Sequence, residues 1–180
     1  MATSGTNWIK ETNVASQKVI KFYFKTDDIF NEASEITSFK ASSIKDGDGL
    51  ASFNSVAISE DERVHLKKHT KKGVLEIFSV MFKILDPSNT SVFYDSEITV
   101  GAATFNAYGA SILDNENRYR DINLELISSK ISDAIIDFAL ERWYWLKNMP
   151  DDAAAHQLRY KTLINQINDL SLNLRLQKNA

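Results

Sequence analysis

At 180 residues the chain can bury a sizeable core and suits one domain, or one domain with an arm. Its hydrophobic content of 43% and charged content of 25% are ordinary for a globular protein, and a formal charge of −3 argues against wrapping nucleic acid or lying on anionic lipid. With no cysteine there are no disulfides, thiolate metal sites or cysteine nucleophiles, and no apolar run of about 18 residues predicts a membrane span. Met1 to Asn7 lacks both a charged and an apolar signal region, so a soluble intracellular product is expected.

Residues 1–17 read as an N-terminal arm, rich in Ser, Thr and Asn, with Trp8 and Ile9 as its apolar pair; a single domain follows over 18–180. From Lys18 to Lys25, Ile20, Phe22 and Phe24 alternate with Lys21, Tyr23 and Lys25, the period of a strand with one buried face. Thr26 reads as an N-cap, and Asp27 and Asp28 suit the first turn of a short helix running to about Lys40. Lys45 to Gly49 is a turn, and the chain stays irregular to Ile58.

Ser59 followed by Glu62 is a capping box and opens the next helix. Val64, Val74, Ile77, Phe78, Met81 and Leu85 suit one of its faces, and Gly73 interrupts it at a cost of about 1 kcal/mol relative to Ala. After Pro87 the chain turns to β, at Val92 to Tyr94 and Glu97 to Val100. Thr104 to Ile112 supplies a return strand, with Gly101 near the turn and Gly109 as a bulge position. A polar loop, Asp114 to Arg120, ends this part.

The helix from about Leu124 to Lys147 is apolar on more than one side. At about 100° per residue, Ile127, Ile131, Ala134, Phe138 and Trp145 share one stripe, while Ile136, Leu140 and Trp143 form another. Lys130, Asp133, Asp137 and Glu141 mark a narrow polar strip. A helix on the outside of a monomer needs one apolar face, so the second stripe calls for cover by the chain or by another subunit. Trp143 and Trp145 project about 200° apart, which places one in the core and the other at or near an interface. After the turn Asn148 to Asp152, the last helix carries Tyr160, Leu163, Ile164, Ile167 and Leu170. Leu170, Leu172, Leu174 and Leu176 then alternate as in a strand, so the tail over about 170–180 reads either as an extended segment or as a continued helix.

Signals of chemistry are weak. His65 and His69 have the i, i+4 spacing of metal ligands, but the metalloprotease glutamate is missing and four lysines oppose a dication. A calcium loop aligned on Gly49 would begin at Ile44 and end at Ser55, lacking both key carboxylates. No phosphate loop, nucleophile elbow or dinucleotide fingerprint is present, so no catalytic, cofactor or metal residues are assigned and no enzyme is expected. Lys67 with Lys71, and Lys68 with Lys72, form like-charged i, i+4 pairs; the four face solvent, a DNA channel or an acidic partner.

The order of these parts resembles a known family. Lys25-Thr26-Asp27-Asp28-Ile29-Phe30 opens a helix, and Ser59-Glu60-Asp61-Glu62 opens a second after an irregular loop. A hairpin follows, then a helix ending Phe138-Ala139-Leu140-Glu141-Arg142-Trp143-Tyr144-Trp145-Leu146, then a last helix after Met149-Pro150-Asp151-Asp152-Ala153-Ala154-Ala155. Over about residues 18–178 this is similar to the head-to-tail connector, adaptor or neck ring proteins of tailed bacteriophages, especially those infecting Bacteroides-type bacteria. The resemblance implies a non-enzymatic virion component without cofactors, made in the host bacterial cytoplasm and residing in the neck. It implies a closed, dodecameric ring of this chain between portal protein and tail, in contact with other neck or tail proteins and non-specifically with packaged DNA, and no membrane.

The expected fold is mainly α (α+β): an antiparallel helical bundle with a small β-hairpin, an N-terminal strand and extended terminal arms. Trp8, Ile136, Leu140, Trp143, Trp145, Leu172 and Leu176 are the expected oligomer or partner contacts. Two other readings remain open: a tail terminator or completion protein of the same virion, and a cytoplasmic helical regulator or nucleic-acid-binding module using Lys67 to Lys72.

Overall fold

A computed structural model describes residues 7–14, 17–44, 56–82, 91–114 and 121–176. In chain order the elements are β1 (Asn7–Val14), β2 (Gln17–Lys25), α1 (Thr26–Ser43), α2 (Glu60–Phe82), β3 (Ser91–Val100), β4 (Ala103–Asp114), α3 (Asp121–Leu146) and α4 (Pro150–Leu176). The architecture is mainly helical with an antiparallel sheet, as the sequence pattern predicts.

Successive helices run antiparallel. Arg63 Nη2 donates to Ser34 Oγ across α1 and α2 at 3.2 Å. Lys147 at the end of α3 reaches Glu62 at the start of α2, and Lys130 on α3 reaches Gln166 on α4. Three helices thus surround α3, which explains its double apolar pattern. Every residue from Ala134 to Glu141 is buried, as are Trp143 and Tyr144. The α1 residues facing inward are Thr26, Ile29, Phe30, Ala33, Thr37 and Ala41, an i, i+3, i+4, i+7 stripe. On α4, Ala153, Tyr160 and Ile167 recur every seven residues and are buried.

Gly73 has a packing role that outweighs its poor helix propensity. A Cβ there would overlap the Phe138 ring, so the glycine lets α2 and α3 approach. Val64, placed by periodicity on the same inward face, is instead more than half exposed, and Leu66 is the buried residue near the helix start. The side chain of Met81, and Leu85 altogether, lie outside the described residues.

The sheet is larger than a hairpin with a separate strand. Its order is β1-β2-β4-β3, with every neighbour antiparallel. The expected free arm therefore becomes an edge strand over residues 7–14, with Trp8 opposite Tyr23. Ile20, Phe22 and Phe24 are buried with Tyr108 and Ala110, and the Phe24 and Phe78 ring centroids lie 6.3 Å apart. Gly101, with φ +63°, takes the first place of the two-residue β3–β4 turn, where positive φ is needed.

Two local expectations are corrected. Thr26 is the first residue of α1 rather than its cap, because β2 runs into the helix without a loop and Lys25 takes the cap position. The bulge lies not at Gly109 but on the facing strand, between Phe93 and Ser96, where Asp95 has φ 46°. Of the two readings of the alternating leucines, the continued helix is the one observed, with α4 extending through Leu176.

Candidate functional site

Three groups of side chains stand out, and the helix packing positions each of them. The first lies where α3 ends. Lys147 and Asn148 form the turn, and Asn148 takes φ 55°, a conformation asparagine tolerates better than most residues. This geometry leaves Trp145 53% and Leu146 60% exposed on adjacent positions. Trp143, two residues earlier, points inward, and its Nε1 donates to the Val56 carbonyl at 2.7 Å. Lys40 pairs with Asp152 at 2.7 Å, which brings the end of α1 to the same pole of the bundle, where Phe39 is 80% exposed.

The Glu62 carboxylate forms one half of a capping box at this pole. Glu62 accepts from the Ser59 backbone N–H at 3.0 Å and from the Ser59 hydroxyl at 2.6 Å, and Lys147 Nζ lies 2.9 Å from its other oxygen. Burial works to raise the Glu62 pKa, but the Ser59 donors and the Lys147 ammonium outweigh it and hold the carboxyl at about 2. Lys147 also stands 4.5 Å over the Trp143 ring. Ile58 N donates to Thr37 Oγ1 at 3.2 Å, so the segment before α2 is tied to α1 and α3 together.

The second group is the lysine cluster on α2. Lys68 and Lys72 are exposed. Lys67 sits 3.9 Å from Asp27, and Lys71 lies 4.8 Å from the Tyr94 ring centroid. Part of the cluster is therefore engaged with α1 and the sheet. His65 and His69 are exposed, and among the described residues no group of three or more His, Cys, Asp or Glu side chains is placed to hold a metal.

The third group contains the narrow polar strip of α3. Asp137 and Glu141, on the polar edge of α3, are buried beneath α4. His156 Nδ1 lies 2.7 Å from Asp137 Oδ1, and Arg159 Nε lies 3.4 Å from Oδ2, which has no hydrogen-bond partner among the described residues. Gln157 Nε2 donates to Glu141 at 3.4 Å, and Lys130 Nζ donates to Gln166 at 2.7 Å. The His156 ring stacks on Tyr144 with centroids 5.3 Å apart. Burial, then the Asp137 charge, raises the Asp133 pKa against the pull of Lys130 and Arg159. Burial together with Asp152 pushes the Tyr144 hydroxyl to about 12. Asp133 and Arg159 border an open depression of about 330 Å³ with Leu158, Thr162 and Leu163.

The seam spans about three turns of α3 and is matched on α4 by residues of complementary chemistry. Its signal in the sequence was the pairing of two polar strips, Lys130-Asp133-Asp137-Glu141 and His156-Gln157-Arg159-Gln166, rather than either strip alone. What it supplies is helix register: the pairs to Asp137 and Glu141 serve carboxylates that are costly to bury alone, and Lys130 with Gln166 adds an exposed contact.

The expected interface residues are scattered among these settings. Ile136, Leu140 and Trp143 are buried inside the chain and have no surface to offer a partner, because α1, α2 and α4 already cover α3. Trp145 keeps its surface. Trp8 lies in β1, and Leu172 and Leu176 lie in the last turns of α4; their side chains fall outside the described residues. No helix among the described residues is long and apolar enough to cross a membrane. No known family, curated protein or solved structure matches the chain.

Proposed function

We propose that this chain is a structural, non-enzymatic assembly protein of a tailed-bacteriophage neck. It forms a homo-oligomeric ring between portal and tail that continues the DNA channel and docks tail components. The observation that carries the reading is the adjacent, half-exposed pair Trp145 and Leu146 at the α3–α4 turn, on the pole that also bears Phe39. Tryptophan is enriched where interfaces concentrate their binding energy, and large apolar side chains left in water forgo about 1.5–3 kcal/mol each. The order of helices, hairpin and aromatic helix end supports the virion assignment through its resemblance to neck proteins. The pole docks on the portal ring, and the flanks of the bundle meet neighbouring copies.

The deciding experiment measures the mass of the purified protein, alone and mixed with its portal, beside the Trp145→Ala variant. The wild type should join a portal complex. The variant should keep its melting temperature within a few degrees while losing that complex. A wild type that stays monomeric with and without portal overturns the assignment.

A further inference from the structure

The sheet divides its charges between its two faces. Residues opposite one another on paired strands share a face. One face carries Ile20, Phe22, Phe24, Tyr108 and Ala110 and packs on the helices, with Phe24 beside Phe78 and the Tyr108 hydroxyl donating to the Lys67 carbonyl at 3.4 Å. The carboxylates of the strands belong to this side. Register sets Glu11 opposite Ile20, Asp114 opposite Lys18 and Glu97 opposite Asn106. Asp95 lies at the bulge, and burial, then the Asp95 charge, raises the pKa of Tyr108 on the same helix-packed face.

The opposite face of the described strands holds no Asp or Glu. By register, Trp8, Tyr23, Gly109 and Phe93 form one row across all four strands. With strands about 4.8 Å apart, that row is ~14 Å long. Lys10 and Lys21 stand opposite each other in the next row of this face, about 6.8 Å away, and Lys25 stands in the row on the other side. Lys25 Nζ lies 5.2 Å from the centroid of Phe105, which extends the aromatic surface by a further row, and 3.9 Å from Asp28 at the start of α1. Lys21, Lys25 and Phe105 keep part of their surface in solvent. Tyr23 and Ala107 are buried, yet they stand outside the core that the helices share.

We infer that this face of the sheet binds a single strand of DNA. Aromatic side chains serve unpaired bases as stacking surfaces whatever the base, and ammonium groups alongside meet the phosphates. The aromatic row and the lysines on both sides of it place the two kinds of group within one pleat repeat of each other. A duplex keeps its bases stacked on one another, so it would leave the aromatic row unused. The same rows hold no carboxylate or side-chain amide to accept a hydrogen bond from a 2′-hydroxyl, the group that distinguishes RNA, and the face therefore suits DNA. The chain's net charge of −3 does not oppose a local site, because this face contributes lysines alone. The inference goes beyond the neck reading and does not depend on a ring.

Fluorescence anisotropy of the full chain tests this with a labelled thymine oligonucleotide of about 12 nucleotides, beside a DNA duplex and an RNA strand of the same length. The single DNA strand should bind about tenfold more tightly than the duplex and no more weakly than the RNA. Lys10→Gln with Lys21→Gln should keep the wild-type melting temperature and flatten the slope of log Kd against log salt by about 1.4, since each phosphate contact on a single strand contributes about 0.7. Trp8→Ala and Phe93→Ala should each weaken binding about tenfold, the loss of one stacked base. If circular dichroism shows either aromatic variant unfolded, the lysine pair decides alone. A wild type that binds no strand, a duplex bound as tightly as the single strand, or a tighter RNA complex overturns the inference. So does an unchanged salt slope in the Lys10 and Lys21 variant, and so does binding abolished by Lys68→Gln with Lys72→Gln, which would place the nucleic acid on α2. Each of these failures leaves the portal complex untouched, so the two readings stand or fall separately.

Discussion

The α3–α4 seam and the outer line of α2 start from the same kind of sequence, charged residues spaced three and four apart on a helix, and end in opposite settings. On α3, Asp137 is only 2% exposed and meets His156 and Arg159. On α2, Lys68 and Lys72 stand in solvent beside like charges. The difference is whether the complementary strip lies on a helix that the chain itself folds against. Where α4 supplies the partner, the charges are buried and set register. Where the described residues supply no such strip, the charges stay outside.

The largest expected effect breaks the seam on one side. Asp137→Ala leaves His156 and Arg159 without their carboxylate, and an unsatisfied buried hydrogen-bonding group costs about 1–3 kcal/mol, read in chemical denaturation. Replacing Asp137 and His156 together with Leu should recover most of that loss, because no buried hydrogen-bonding group of the pair is then left unsatisfied, while Arg159, 67% exposed, is hydrated. If both variants are equally damaged, the seam contributes packing rather than electrostatic matching.

Gly73→Ala probes the inner side of the helix whose outer side carries the lysines. The added methyl overlaps the Phe138 ring, so overpacking of about 1–3 kcal/mol should exceed the gain of about 1 kcal/mol in helix propensity. A rise in melting temperature would show that Phe138 can move aside.

A smaller effect is expected at Glu62, a charged group midway between the two settings. Its folded pKa of about 2 lies below its ordinary value of 4.5. Its contribution is therefore complete above pH 4.5 and is lost as pH falls towards 2. At 36% side-chain exposure, solvent screening limits this to about 1 kcal/mol. Glu62→Gln should flatten the stability profile between pH 5 and pH 2 by about that amount, and an unchanged profile would remove the carboxylate from the cap. Least of all, Lys68→Gln with Lys72→Gln should shift monomer stability by no more than about 0.5 kcal/mol, against the larger loss at Asp137. A loss above 1 kcal/mol would mean that the two lysines are engaged within the fold.

Much of the helical framework was legible because strong periodicity and end signals agreed. The Glu62 half of the capping box, the turn at Asn148 and, Trp145 apart, the double stripe of α3 correspond to observed geometry. Pairing between distant segments was not legible. Nothing local in Asn7 to Val14 announces that it joins β2, nor does β2 announce β4. Thr26 misled because good cap chemistry sat one residue inside a strand-to-helix junction that left no room for a cap. Ile136, Leu140 and Trp143 misled for a different reason. Two apolar stripes show that a helix is covered twice, and the same pattern serves a helix surrounded by its own chain.

The pairing of β2 with β4 also sets a timetable for synthesis. Lys25 finds Ala107 across the sheet, so β2 must wait for about 80 further residues. At about 5–20 residues per second, the wait is roughly 4–16 s. During it, Phe22 and Phe24 sit on a strand whose second edge has no partner. β1 can occupy the first edge at once, because the turn between them is short. Lys18, Lys21 and Lys25, spaced along the same strand, discourage another nascent chain from adding to the open edge. Replacing these three lysines with Thr should therefore lower soluble yield during expression while leaving refolding of dilute purified protein unimpaired, and equal yields would show that the waiting edge needs no such protection.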